Sequence, residues 1–240
     1  MKPFLTIALT ATVLLGIVAQ AEAKKPEDQE FRHVVITLNS GEKVDGYIHR
    51  NWEVNAYSLK KANYSLKIVP TPDAKGDEAT KYTADDIDNI VFVEASEGEP
   101  AGIRWESHDL TQPNLKDRYH TTKMLMLVEK EGDNATLYRW KGFASVPLPN
   151  GRSRTYIATY RGVRFHDQER SNVVYYIMKD KALEMQIMRA LFKKDQPGLE
   201  QKITEYFYKG KEKKAHVKEL IEDPTLFLRV YDEYLSEQKQ

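Results

Sequence analysis

The chain has 240 residues, and its 36 lysines and arginines balance 36 aspartates and glutamates, so no global field draws it to nucleic acid. It has no cysteine, which excludes disulfide stapling, thiol catalysis, cysteine-ligated metals and lipidation at a cysteine. A chain of this size buries roughly 70% of its unfolded surface without a staple, as one domain or two.

Lys2 gives a positive start, Phe4 to Val18 is apolar apart from threonines and one glycine, and Ala21-Glu22-Ala23 offers small residues where a signal peptidase reads. This pattern predicts a secretory signal peptide over 1–23, cleaved after Ala23. The apolar run falls short of the roughly 20 residues of a spanning helix, and no later run reaches that length. The expected location is therefore periplasmic or secreted, with no transmembrane segment after cleavage. An exported chain without cysteine fits a bacterial periplasm or secretome. Residues 24–30 are polar and aperiodic and read as a disordered leader.

From 31 to 95 the pattern is that of a small β-barrel-like unit. Val34, Ile36 and Leu38 alternate with Val35 and Thr37, the period of a half-buried strand. Asn39-Ser40-Gly41-Glu42 predicts a hairpin turn, with Gly41 at a positive φ. Gly46 in the returning strand predicts a bulge or sharp bend. A strand at Ser65 to Val69 ends at Pro70, since proline cannot continue a ladder. Thr83-Ala84-Asp85-Asp86 resembles a capping box and predicts one helical turn before a closing strand, Asn89 to Val93. The order ITLNSGEKVDGYI, SLKIVP, DIDNIVF looks like the strand pattern of Sm-like or SH3-like small barrels. That resemblance implies a shape. The residues with which the Sm family binds RNA are not recognisable here, so no RNA function comes with it.

Residues 96–122 read as a loop-rich connector. A second, antiparallel β unit is expected over 123–179. Its strands are Lys123 to Lys130, Ala135 to Trp140, Thr155 to Tyr160 and Asn172 to Met178, a meander. The segment LVEKEGDNATLYRW is similar to segments of uncharacterised exported proteins of Bacteroidota-type bacteria, as is the order of signal, β units and helical tail. The resemblance implies a setting and no mechanism. From 180 to 240 the period changes to 3.6 and predicts a helical tail. Its stripes are Leu183, Ile187, Met188, Leu191 and Phe192, then Leu199, Ile203, Tyr206 and Phe207, and last Leu226, Phe227, Val230, Tyr231, Tyr234 and Leu235. A weaker helix is expected over Lys214 to Ile221, and Asp223-Pro224 is expected to cap the last one. The fold class is α+β.

The chemical motifs are sparse. None of the six histidines, His33, His49, His108, His120, His166 and His216, falls in HExxH or in an i, i+4 pair. Gly151-Arg152-Ser153-Arg154-Thr155 lacks the second glycine of a serine elbow. Tyr175-x-x-x-Lys179 has the spacing of short-chain dehydrogenases, with no glycine-rich phosphate loop before it. Asp85, Asp86 and Asp88 lack the alternation, glycine and distal glutamate of a calcium loop, and helix capping explains the first two more economically. The expectation is no catalytic residue, no metal and no cofactor. Aromatic residues carry the one hint of recognition, because flat rings stack on sugars or fill a partner's pocket. Trp105, in the connector, is expected to be exposed and is the first candidate contact, with Trp140 and Trp52 beside it. Core packing of Trp52, Tyr57, Trp105, Trp140, Tyr156 and Tyr160 is the more ordinary reading of these rings.

These observations together read as an exported bacterial envelope protein, a non-catalytic binding or assembly module whose partner is an envelope protein or glycan and not nucleic acid. The alternative is a periplasmic hydrolase of glycans or peptides whose carboxylates no motif identifies. No motif encodes the oligomeric state.

Overall fold

The computed structural model describes residues 30–52, 65–75, 77–96, 99–113, 119–148, 151–166, 173–177 and 197–239. Residues 1–29 of the expected signal and leader, Tyr57 and the first helical stripe at Leu183–Phe192 lie outside the described residues. Ten strands come first: β1 (Phe31–Leu38), β2 (Lys43–His49), β3 (Ser65–Val69), β4 (Thr80–Thr83), β5 (Ile87–Phe92), β6 (Arg104–Pro113), β7 (Tyr119–Glu131), β8 (Ala135–Pro147), β9 (Ser153–Phe165) and β10 (Val173–Ile177). Among the described residues three helices follow: α1 (Pro197–Phe207), α2 (Lys213–Glu222) and α3 (Leu226–Gln238). The class is α+β, and none of the described helices is long and apolar enough to cross a membrane.

All ten strands lie in one sheet, in the order β10-β9-β8-β7-β6-β5-β1-β2-β3-β4, with each neighbour in that order antiparallel to the next. A second, parallel contact joins β10 to β6 through Val173↔Leu110 and Val174↔Thr111. The second half of the sheet therefore curls back on itself. The first half does not close, which corrects the expectation of a barrel-like unit over 31–95. The reason lies at β5. One of its edges pairs with β1 and the other with β6, so β4 has nothing to close onto and remains an open edge.

β6 occupies the stretch expected as a connector. It joins the two expected β groups into one sheet through Ile90↔Trp105 and Trp105↔Leu127. The alternation of side chains along strands then builds three cores. One face of the first half gathers Val34, Ile36, Ile48, Ile87, Ile90 and Phe92 and continues across β6 and β7 to Trp105, Leu125 and Leu127. Further along that same face, Ala135, Leu137, Val163 and Phe165 lie under the helices, against Leu199, Ile203, Phe227, Val230 and Tyr231. The opposite face of the curled half encloses Leu110, Met126, Tyr138, Trp140 and Tyr160. The helical stripes at Leu199–Phe207 and Leu226–Tyr231 bury as the 3.6-residue period requires. Asp223 caps as expected, its Oδ1 accepting the N–H of Thr225 at 3.0 Å just before α3, and Pro224 stands two residues before the first residue of that helix.

Two turns follow their side chains closely. Gly41 takes φ 86 in the β1–β2 hairpin, where Leu38 N–H donates to Glu42 O at 2.8 Å. Asp86 accepts both the N–H and the hydroxyl of Thr83 at 2.7 Å, closing a tight turn into β5. The exposed Asp86 carboxyl is held below its usual range, chiefly by that backbone hydrogen bond. Gly46 is not a bulge, since the β1–β2 register runs through Val34↔Gly46 without interruption. Its missing side chain lets β3 pack directly against β2. A Cβ there would lie 2.6 Å from Ile68 Cγ2 and 2.9 Å from Val69 O. Gly46→Ala should therefore cost about 1–3 kcal/mol in urea denaturation. A loss within error of zero would mean that β3 can withdraw freely, against this account.

Candidate functional site

Each aromatic candidate has a definite place. Trp105 is 6% exposed, not the surface residue expected from a connector. Strand β6 turns it into the core, where it meets Trp52 edge-on with ring centroids 4.7 Å apart. Trp52 is itself buried and stacks with Phe92 at 6.3 Å. Trp140 is buried in the other core, stacked with Tyr160 at 6.0 Å. The fold thus brings Trp52 and Trp105 together and keeps Trp140 apart. Trp105→Ala should cost about 3–5 kcal/mol of stability, read as a lower urea midpoint. A variant as stable as the parent would show that the indole is not a packing residue.

The histidines are dispersed in the same way. His33 contacts Asp45 at 2.9 Å and stacks with Tyr47, His166 contacts Thr136 Oγ1 at 2.9 Å, and His216 stacks on Tyr206. Among the described residues, no three of His, Cys, Asp and Glu are grouped to hold a metal ion. Ser153 opens β9 in regular register with Pro147 and is not on a strained elbow.

One cluster was not identified from the sequence. Arg104, Glu106 and His108 follow each other at every second position of β6 and so project from one face. The face is the one that the curled half encloses. Tyr138 of β8 reaches them from within, donating its O–H to Glu106 Oε2 at 2.5 Å. His108 Nε2 lies 2.8 Å from the same oxygen and 3.0 Å from the tyrosine oxygen. An ionised carboxylate has only acceptor capacity, so Nε2 carries the proton and donates. Arg104 Nε lies 2.7 Å from Glu106 Oε1, and its Nη2 donates to Glu131 Oε2 at 3.0 Å. Glu131 is on that face because of an extra residue. The β7–β8 register slips between Val128 and Lys130, a bulge that shifts the alternation by one. The available signal was the period-two run of charged and polar residues Arg104-x-Glu106-x-His108.

Burial alone would raise Glu106, but hydrogen bonds from His108 and Tyr138 and the charge of Arg104 outweigh it and bring the carboxyl down to about 2. Burial, and then the hydrogen bond to anionic Glu106, push the Tyr138 phenol up. A general acid or base works best with a pKa near the operating pH. Here the carboxylate and the phenol are driven in opposite directions, away from neutrality, and each satisfies the other. The arrangement is a closed structural lock.

Its sign with pH follows directly. Glu106 is lowered in the fold from a usual value of 4.5, so it stabilises fully above that value and progressively less as pH falls toward 2. The contribution is about 3 kcal/mol at neutral pH, with most of it gone by about pH 3. Glu106→Gln should therefore be destabilising at pH 7, and its difference from the parent should shrink steeply at pH 3. A difference independent of pH would refute the lock.

A second place is open to solvent. β2 pairs with β1 along its whole length, from Thr37↔Lys43 to Phe31↔His49. With β3 it pairs only at Tyr47↔Val69 and Ile48↔Ile68, because Pro70 ends β3. Among the described residues, the backbone of Lys43, Val44 and Asp45 therefore has no strand on its second side. A cavity of about 260 Å³ lies there, against Val44, the buried Ile68 and Val69, and Pro70. The charged side chains that line it are Asp45 and Glu78, both exposed. No family model, curated protein or solved structure matches this chain.

Proposed function

We propose that this chain is an exported bacterial envelope protein that acts as a non-catalytic binding or assembly module and meets its partner in the groove beside β2. The observation that carries the reading is the open strand edge forming one wall of an apolar cavity. Unpaired strand backbone next to side-chain pockets is the arrangement that accepts an added strand. The Glu106–His108–Tyr138 lock supports the non-catalytic side, since its carboxylate and phenol are poised for neither proton uptake nor release at neutral pH. The export pattern over 1–23 supports the setting.

The test is in-cell photo-cross-linking from position 78 of the tagged full-length protein, followed by identification of what the envelope fraction yields. The expected result is one specific partner, absent when the cross-linker is moved to exposed position 218 in α2, in the helical group packed on β8 and β9. Recovery of the chain alone from both positions, together with turnover of a periplasmic glycan or peptide by the purified protein, would replace this reading with the hydrolase alternative.

A further inference from the structure

The groove also defines what kind of partner fits it, an inference that rests on the binding-module reading above. Three features act together. β3 leaves β2 at Pro70, so Lys43–Asp45 present strand backbone with no second neighbour among the described residues. The cavity beside them, about 260 Å³, has an apolar wall of Val44, Ile68 and Val69. That volume takes a few residues of extended chain, not a folded domain. The charged groups lining it are two carboxylates, Asp45, whose Oδ1 also contacts His33 Nε2 at 2.9 Å, and Glu78, whose Oε1 accepts the Lys75 N–H at 3.1 Å, and no lysine or arginine lines it. Lys43 and Lys75 are neighbours along the chain and do not line it. On the β3–β4 surface, Lys67 and Lys81 stand directly opposite each other, but at the end of β3 beyond Ile68, away from Pro70.

We infer that the groove binds an extended, basic peptide segment of a partner protein. The segment adds as a strand to β2 at Lys43–Asp45, in the place β3 vacates at Pro70. Its lysine or arginine reaches Asp45 and Glu78, and an apolar neighbour rests on Ile68 and Val69. A second copy of this chain is the weaker occupant. The described open edges it would offer are β4, Thr80–Thr83, whose Lys81 stands opposite Lys67, and its own Lys43–Asp45, which carries a second Asp45 and Glu78 to the same seam, where like charges repel. At the far end of β4, the tight turn engages the Thr83 N–H and carbonyl through Asp86, which shortens that edge further.

The experiment uses the full-length chain and two capped pentapeptides, Thr-Val-Lys-Val-Thr and Thr-Val-Glu-Val-Thr, followed by amide exchange and by titration at low and moderate salt. The lysine peptide should bind and protect amides within Lys43–Gly46. The glutamate peptide should bind about tenfold more weakly, as expected for two exposed ion pairs worth about threefold each. Asp45→Asn with Glu78→Gln, both at exposed positions, should bring the two peptides to equal affinity with a loss of stability of at most about 1 kcal/mol, from the exposed contacts to His33 and the Lys75 N–H. Equal binding of both peptides by the parent chain, protection elsewhere, or no binding at millimolar peptide would each overturn the inference. A specific envelope partner whose cross-links map away from the groove would sink this inference and the groove's part in the proposed function, and leave only the binding-module reading standing. Absence of any partner sinks both.

Discussion

The structure depends on the strict alternation of side chains along β6. At odd positions, Trp105 extends the core of the first five strands and Ser107 ties to Ala84 O at 2.6 Å. At even positions, Arg104, Glu106, His108 and Leu110 project into the half that curls on itself. One strand therefore belongs to two cores at once, through its two faces. If the register of β6 slipped by one residue, the indole of Trp105 and the carboxylate of Glu106 would exchange places. An unpaired carboxylate among Ile90, Phe92 and Leu127 costs several kcal/mol, and so the register has no near competitor.

The polar cluster enforces the same choice from the other side. A buried ion pair adds little net stability over well-packed apolar residues, but breaking one is expensive. The Glu106 carboxylate has Tyr138, His108 and Arg104 around it, and the β7 bulge brings Glu131 to the second side of Arg104. β6, β7 and β8 are thereby fixed relative to each other by directional contacts, where apolar packing alone would tolerate sliding. On the opposite face a second carboxylate does the equivalent for β7, β8 and β9. Glu129, at the same bulge, takes both arms of Arg161 at 2.6 and 2.9 Å, with Arg139 beside it at 3.6 Å. One inserted residue in β7 thus serves both faces.

The sequence is most legible where structure is local. Gly41 and the Thr83–Asp86 pair announce their turns because each closes over four residues or fewer. The stripes of α1 and α3 announce their buried sides because a helix repeats its contacts every turn. β6 was hidden because its inward face carries charge. Arg104, Glu106 and His108 read as a solvated loop until Tyr138, thirty residues on, supplies the partner. The burial of Trp105 was hidden for the same reason, since nothing near it in the chain says that Ile90 and Leu127 flank it. Pro70 was read correctly as the end of β3. Its consequence, an exposed length of β2, depends on the β2–β3 register, and two pairs of residues far apart in sequence set that register.

Recognition at an edge is what this division of surfaces leaves available. The two faces of the sheet are largely committed, one to the first core and the helices, the other to the curled half. The part of the second face that remains uncovered is already stitched together by His33 with Asp45 and Tyr47. Backbone at an edge recognises any extended chain, since every residue offers the same N–H and C=O. Selectivity must then come from the side chains that flank it. At β2 these are apolar wall residues and two exposed carboxylates, Asp45, held on one side by His33, and Glu78. On the proposed reading, a sheet that invests its aromatic residues in holding its strands together discriminates by charge at its rim.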